Sequence, residues 1–112
     1  MDHDHVVATA VLQARDLDET AAFYVHIGLT VDVLDANYAI VVHDGHELLH
    51  LTTSDNPSPG SVYLNVGDAG TWHARCTDAG AGPGPIADRP WGMREFSVTD
   101  PSGNTLRIGN NV

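Results

Sequence analysis

Two stretches of this chain repeat one another at a fixed distance. Asp16 opens a helix-like segment that stops at Gly28, and Asp68 opens another that stops at Gly80. Both pairs of landmarks are 52 residues apart (68 − 16 and 80 − 28). A strand-like run precedes each segment, Val7 to Ala14 in one case and Ser61 to Val66 in the other. In the first unit, Asp16-Leu-Asp-Glu19 has capping-box spacing, and Phe23 and Ile27 mark one helix face. In the second, Trp72, Cys76 and Ala79 form an i, i+4, i+7 stripe. Glycine just past a helix accepts the left-handed backbone that ends it. A chain that duplicates strand, cap, helix and stop is built from two like modules.

The repeat continues downstream. Three strand candidates follow the first helix: Thr30 to Leu34, Tyr38 to His43 and Glu47 to Thr53. Asp35-Ala-Asn37 and Asp44-Gly45 supply the turns between them. After the second helix, the run Gly80 to Pro85 leads to a short extended piece near Ile86. Strands then follow at Arg94 to Thr99 and Thr105 to Ile108. The turn between these two is Asp100-Pro-Ser-Gly-Asn104, where proline fixes φ and glycine accepts a positive φ. Each half reads β-α-β-β-β. The expectation is a single α+β domain over residues 1–112, with modules at about 6–54 and 61–110 and a linker at 55–60.

Composition narrows the function. The chain has 112 residues, with fifteen acidic side chains against five arginines and a formal charge of −10. So negative a surface repels phosphate, which argues against a nucleic-acid partner and suits a cationic small ligand. Acidity also serves solubility alone. No apolar run approaches the ~20 residues of a membrane helix. Met1-Asp-His-Asp-His5 lacks the basic and apolar parts of a signal peptide, and one cysteine, Cys76, cannot form an internal disulfide. A cytoplasmic protein without a membrane partner is expected.

The motifs resemble a known family. Ala14-Arg-Asp-Leu17, Ala22-Phe-Tyr24 and Gly28-Leu29 look like the first module of the glyoxalase, or vicinal-oxygen-chelate, superfamily. Ser61-Val-Tyr-Leu-Asn-Val66 looks like the start of its second module. The segment from Pro90-Trp-Gly92 to Asn104 resembles the last hairpin of the bleomycin-resistance branch. The resemblance implies two βαβββ modules forming a curved mixed sheet around a cleft, and a homodimer. It further implies that Trp91 stacks on a planar aromatic natural product, with Tyr38 closing the stack from the partner subunit. Where the drug-binding relatives carry a proline in the first strand, this chain has Ala10, so exchange of that strand is not implied.

Strand alternation sorts the remaining candidates. Val62, Leu64, Val66, Leu106 and Ile108 should meet the helices. Ser61, Tyr63, Asn65, Thr105 and Arg107 should face the other way, as should His46, Leu48, His50 and Thr52. The expected ligand-binding set is Tyr38, His50, Ser61, Tyr63, Asn65, Trp91, Met93, Glu95 and Arg107. Arg107 is expected to pair with Glu95 or to recognise an anionic group on the ligand. A solvated sheet face is the plainer reading of the same alternation.

No cofactor, metal or catalytic residue is expected. The four metal-binding positions implied by the resemblance are Thr9, His50, Ser61 and Arg107, of which only His50 could coordinate a divalent ion. Cys76 lies on the apolar helix stripe and reads as core. Trp72 reads as core too. His26 and His73 read as solvated, His43 and His46 as exposed turn residues, and His3 as part of the terminus. The leading expectation is sequestration of an antibiotic-like molecule. The rivals are a superfamily enzyme, metal-free or with a set such as His46, His50 and Glu95, and a binding protein within an antibiotic pathway.

Overall fold

The computed structural model describes residues 6–112, so His3 lies outside it. The first half contains β1 (Ala10–Ala14), α1 (Leu17–His26), β2 (Thr30–Asp35), β3 (Tyr38–His43) and β4 (His46–Thr53). The second contains β5 (Ser61–Asn65), α2 (Ala69–Asp78), β6 (Ala87–Asp88), β7 (Met93–Thr99) and β8 (Thr105–Asn111). The strand orders are β1-β4-β3-β2 and β5-β8-β7-β6, so hydrogen bonding divides the strands into two four-stranded sheets. In each, the first strand runs parallel to the last and the other pairs are antiparallel. The sheets touch along β1 and β5.

The duplication extends to single hydrogen bonds. Asp16 caps α1 by accepting from Glu19 N at 3.0 Å, and Asp68 caps α2 by accepting from Gly70 N at 2.9 Å. Beyond α1, Leu29 N donates to Tyr24 O, and beyond α2, Ala81 N donates to Cys76 O, both bonds displaced by 52 (81 − 29 and 76 − 24). Gly28 and Gly80 supply the positive φ, +104° and +73°, that these stops require.

Two expectations need correcting. The buried face of α1 is Leu17, Thr20, Ala21 and Tyr24, with Ile27 buried at its cap; Phe23 is only half-buried, its ring edge-on to Tyr24. Thr20 and Tyr24 escaped the apolar pattern because both carry hydroxyls, which are hydrogen-bonded inside the protein. The first strand begins at Ala10, and Val6 to Thr9 lie outside the ladder with exposed side chains. Alternation there continues in the sequence without a strand partner beside it.

What joins the halves is the turn between β7 and β8. Asp100, Ser102 and Asn104 are buried, unlike the residues of an ordinary surface turn. Asp100 Oδ1 accepts from Ser102 N and Asn104 N, and its Oδ2 accepts from Tyr24 Oη at 2.8 Å and Asn104 Nδ2 at 3.0 Å. Asn104 also donates to Gln13 O and accepts from Gly60 N. Ser102 Oγ accepts from Arg15 N and bonds Thr20 Oγ1. Burial and the neighbouring Asp100 charge push the Tyr24 phenol pKa up, so the hydroxyl stays a donor.

Candidate functional site

The expected binding residues separate into two polar groups, one on each sheet. On the second sheet, Tyr63 pairs with Arg107 and Asn65 with Gly109, while Gly109 lies opposite Glu95. Gly109 matters because it has no side chain. A Cβ there would collide with the Tyr63 hydroxyl and come within 2.9 Å of both Arg94 O and Glu95 Cβ. Over this gap the Glu95 carboxylate is nearly buried. Its Oε2 accepts from Arg107 Nε at 3.1 Å and from Nη2, and its Oε1 accepts from Trp91 Nε1 at 3.0 Å and, more weakly, from Tyr63 Oη at 3.4 Å. The Arg107 guanidinium also lies 5.4 Å from the centroid of the Tyr63 ring.

This geometry fixes protonation. Hydrogen bonds from Arg107 hold the Glu95 carboxyl below its usual range, and the Trp91 and Tyr63 donors add to the effect. Glu95 in turn raises Arg107, and burial followed by the Glu95 charge raises Tyr63. The trio is therefore an ion pair with a neutral phenol at neutral pH, and Glu95 is a poor general base. A carboxyl held below its ordinary 4.5 contributes stability that is present above that value and lost as pH falls through the lower folded value. The Trp91 indole N–H resonance should thus stay put from about pH 7 to about pH 5 and shift only in more acid solution. A shift centred within that window would contradict the assignment.

On the first sheet Tyr38 Oη lies 2.7 Å from His50 Nδ1, and His50 Nε2 lies 2.9 Å from Glu47 Oε1. A carboxylate only accepts, so His50 Nε2 donates to it. In the neutral ring Nδ1 is then the acceptor for the Tyr38 proton. The two aromatic rings meet edge-on at 5.4 Å. Met93 lies half-buried opposite Asn111, and Ser61 is exposed at the start of β5. Glu47 was not among the expected residues.

The residues at the four implied metal positions do not fit a divalent ion. Thr9 precedes the strand, Ser61 offers a neutral hydroxyl, Arg107 is paired with Glu95, and both nitrogens of His50 are engaged. His46, His50 and Glu95 do not converge either: among the described residues no three His, Cys, Asp or Glu side chains form a metal-ligating group. Other histidines differ from expectation. His73 contacts Gly84 O through Nε2 and sets its ring edge-on to Phe96, while His43 meets the Trp72 ring at 5.2 Å. Cys76 is buried, and burial raises its pKa. A cavity of about 640 Å³ opens elsewhere, between the halves, and takes in only Tyr63 and Asn65 of the expected set.

Known proteins share this architecture. The model of the Glyoxalase/Bleomycin resistance protein/Dioxygenase superfamily matches residues 3–108. An uncharacterized protein of Mycolicibacterium smegmatis is 31% identical over 108 residues, 92% of this chain and 91% of its own. A bleomycin resistance determinant encoded on the transposon Tn5 superposes with a TM-score of 0.85 at 25% identity, over 96% of this chain and 98% of that one. The bleomycin-binding protein of bleomycin-producing Streptomyces verticillus, solved with copper(II)-bleomycin, gives 0.75 at 26% identity over 94% and 95%. A lactoylglutathione lyase from Agrobacterium tumefaciens shares the fold, with a TM-score of 0.78 at 20% identity over 97% and 96%.

Proposed function

This chain belongs to the glyoxalase/bleomycin resistance protein/dioxygenase superfamily, and from that premise we propose that it binds and sequesters a planar, cationic natural product of the antibiotic type. The observation that carries the reading is Trp91. Its side chain is 61% exposed, yet its indole N–H is tied to the nearly buried Glu95 carboxylate. Exposure of a large ring is unfavourable unless something covers it. The tether fixes the ring's direction before a ligand arrives, which lowers the ordering cost of stacking. Tyr38 is held in the same manner by His50.

Stacking on each ring contributes about 0.5–1.5 kcal/mol beyond area burial. The two rings belong to different sheets of the chain, and a homodimer that set the first sheet of one subunit against the second sheet of its partner would bring them together. The charge of −10 draws a cationic ligand and disfavours nucleic acid. No described helix is long and apolar enough to cross a membrane, and the site we propose works in the cytoplasm without metal or cofactor. Solved relatives that carry bleomycin in their names support the ligand class.

The test is fluorescence titration with copper(II)-bleomycin and a panel of flat heteroaromatic antibiotics. Trp91→Ala should weaken any saturable binding by at least about tenfold, as loss of an interface anchor does, and leave thermal stability unchanged. Saturable binding that Trp91→Ala leaves intact, or no binding by any flat compound, would overturn the reading.

A further inference from the structure

We propose that the cavity between the two halves is a second ligand site, for a compact apolar molecule carrying one protonated nitrogen. The cavity is lined by the N-terminal end of β1 with the residues just before it, and by β5. It measures about 640 Å³, within the roughly 300–1,000 Å³ of small-molecule pockets. Its walls come from both modules: Leu29 and Leu48 from the first, Val62 and Trp72 from the second. Trp72 packs edge-on against His43, which also lines the space.

The walls carry polar groups that select charge. Among the described residues that line the space, Glu47 carries the single carboxylate and there is no arginine; Asn65 and Thr9 add neutral polar groups. The nearest cation along α2, Arg75, sits over the Trp72 ring at 4.5 Å and lines a different, smaller cavity. Glu47 uses Oε1 to hold His50, and a carboxylate has a second oxygen to offer an ammonium group. A half-open, mostly apolar space with a carboxylate on its wall and no arginine among its described lining favours a cation over an anion. Trp91, Tyr38, Glu95 and Arg107 take no part in these walls, whereas Tyr63 and Asn65 are shared with the stacking site and Glu47 touches it through His50.

A matched pair of probes tests it: 1-adamantylammonium and 1-adamantanecarboxylate, which share an apolar cage too round to stack on a flat ring. Trp91→Phe leaves Trp72 as the reporting indole. The ammonium probe should change Trp72 emission saturably and bind at least about tenfold more tightly than the carboxylate, an electrostatic preference of ordinary size. Val62→Phe, or Leu48→Phe should that variant fold poorly, should abolish the response. Glu47→Gln should bring the two probes to within about twofold of each other. Equal binding of both probes in the parent, a response that survives both cavity-filling variants, or no response overturns the proposal. So does a response that tracks self-association in sedimentation, which would make the space part of an interface between copies.

Discussion

Replacing Asp100 with alanine should cost the protein about 3–5 kcal/mol, since it removes the acceptor of four buried hydrogen bonds and each such loss runs to about 1–3 kcal/mol before relaxation. The donors are Tyr24 Oη, Ser102 N, Asn104 N and Asn104 Nδ2, of which the last keeps Gln13 O as a second acceptor. The loss is expected to be large because the carboxylate serves two purposes. It closes the β7–β8 turn, and through Tyr24 it ties that turn to α1 in the other half of the chain. A domain this size has about 5–15 kcal/mol of stability in all. Thermal unfolding should fall by more than about 10 °C, at roughly 4 °C per kcal/mol. Tyr24→Phe removes one donor and leaves the carboxylate its other three, so it should cost only about 1–2 kcal/mol. Equal losses from the two variants would mean that the tie to α1, and not the turn, carries the stability.

The lock also shows where sequence reading stops. The pattern Asp-Pro-x-Gly-Asn is fully explained by local backbone needs, so nothing in it announces that Asp100, Ser102 and Asn104 are buried. Their partners, Thr20 and Tyr24, were hidden by the same rule that found the helix, since hydroxyl-bearing residues do not count toward an apolar stripe. The elements, by contrast, were legible in kind and order, though the first strand starts later and the last runs further than expected. A 52-residue offset that survives down to matching stop bonds is a property of spacing, and spacing is what sequence records.

The candidate site was legible in part, again for physical reasons. Alternation placed Tyr63 and Arg107 on one face, and both meet Glu95, the partner expected for Arg107. It could not place Glu47, which by a period of two should point away from His50 yet bonds to it at 2.9 Å. The β3–β4 ladder shifts register between Val41 and Val42, beside Glu47, and such irregularities re-aim side chains. Trp72 was read as core, and it is buried, but a wall of a cavity and a core residue share one sequence signature.

Gly109 lies just past the expected end of the last strand, but β8 runs on to Asn111, and a glycine inside a strand marks close approach of other groups. Gly109→Ala is therefore the sharpest single test of how the second sheet is organised. The added methyl meets the Tyr63 hydroxyl, Arg94 O and Glu95 Cβ at once, and overpacking of this kind costs about 1–3 kcal/mol. Only the first of these obstacles is the end of a side chain. Tyr63 must swing off the strand, and with Glu95 displaced the carboxylate no longer fits the indole N–H and the guanidinium together. The expected result in urea unfolding is a loss within that range. In titration, any ligand held by Trp91 should bind at least about tenfold more weakly. Adding Tyr63→Phe should restore less than half of either loss, because Arg94 O and Glu95 Cβ still lie 2.9 Å from the new methyl. Full restoration by Tyr63→Phe would show that the hydroxyl alone was the obstacle. An unshifted Trp91 indole resonance in Gly109→Ala would show that Trp91 is held independently of the strand beneath it.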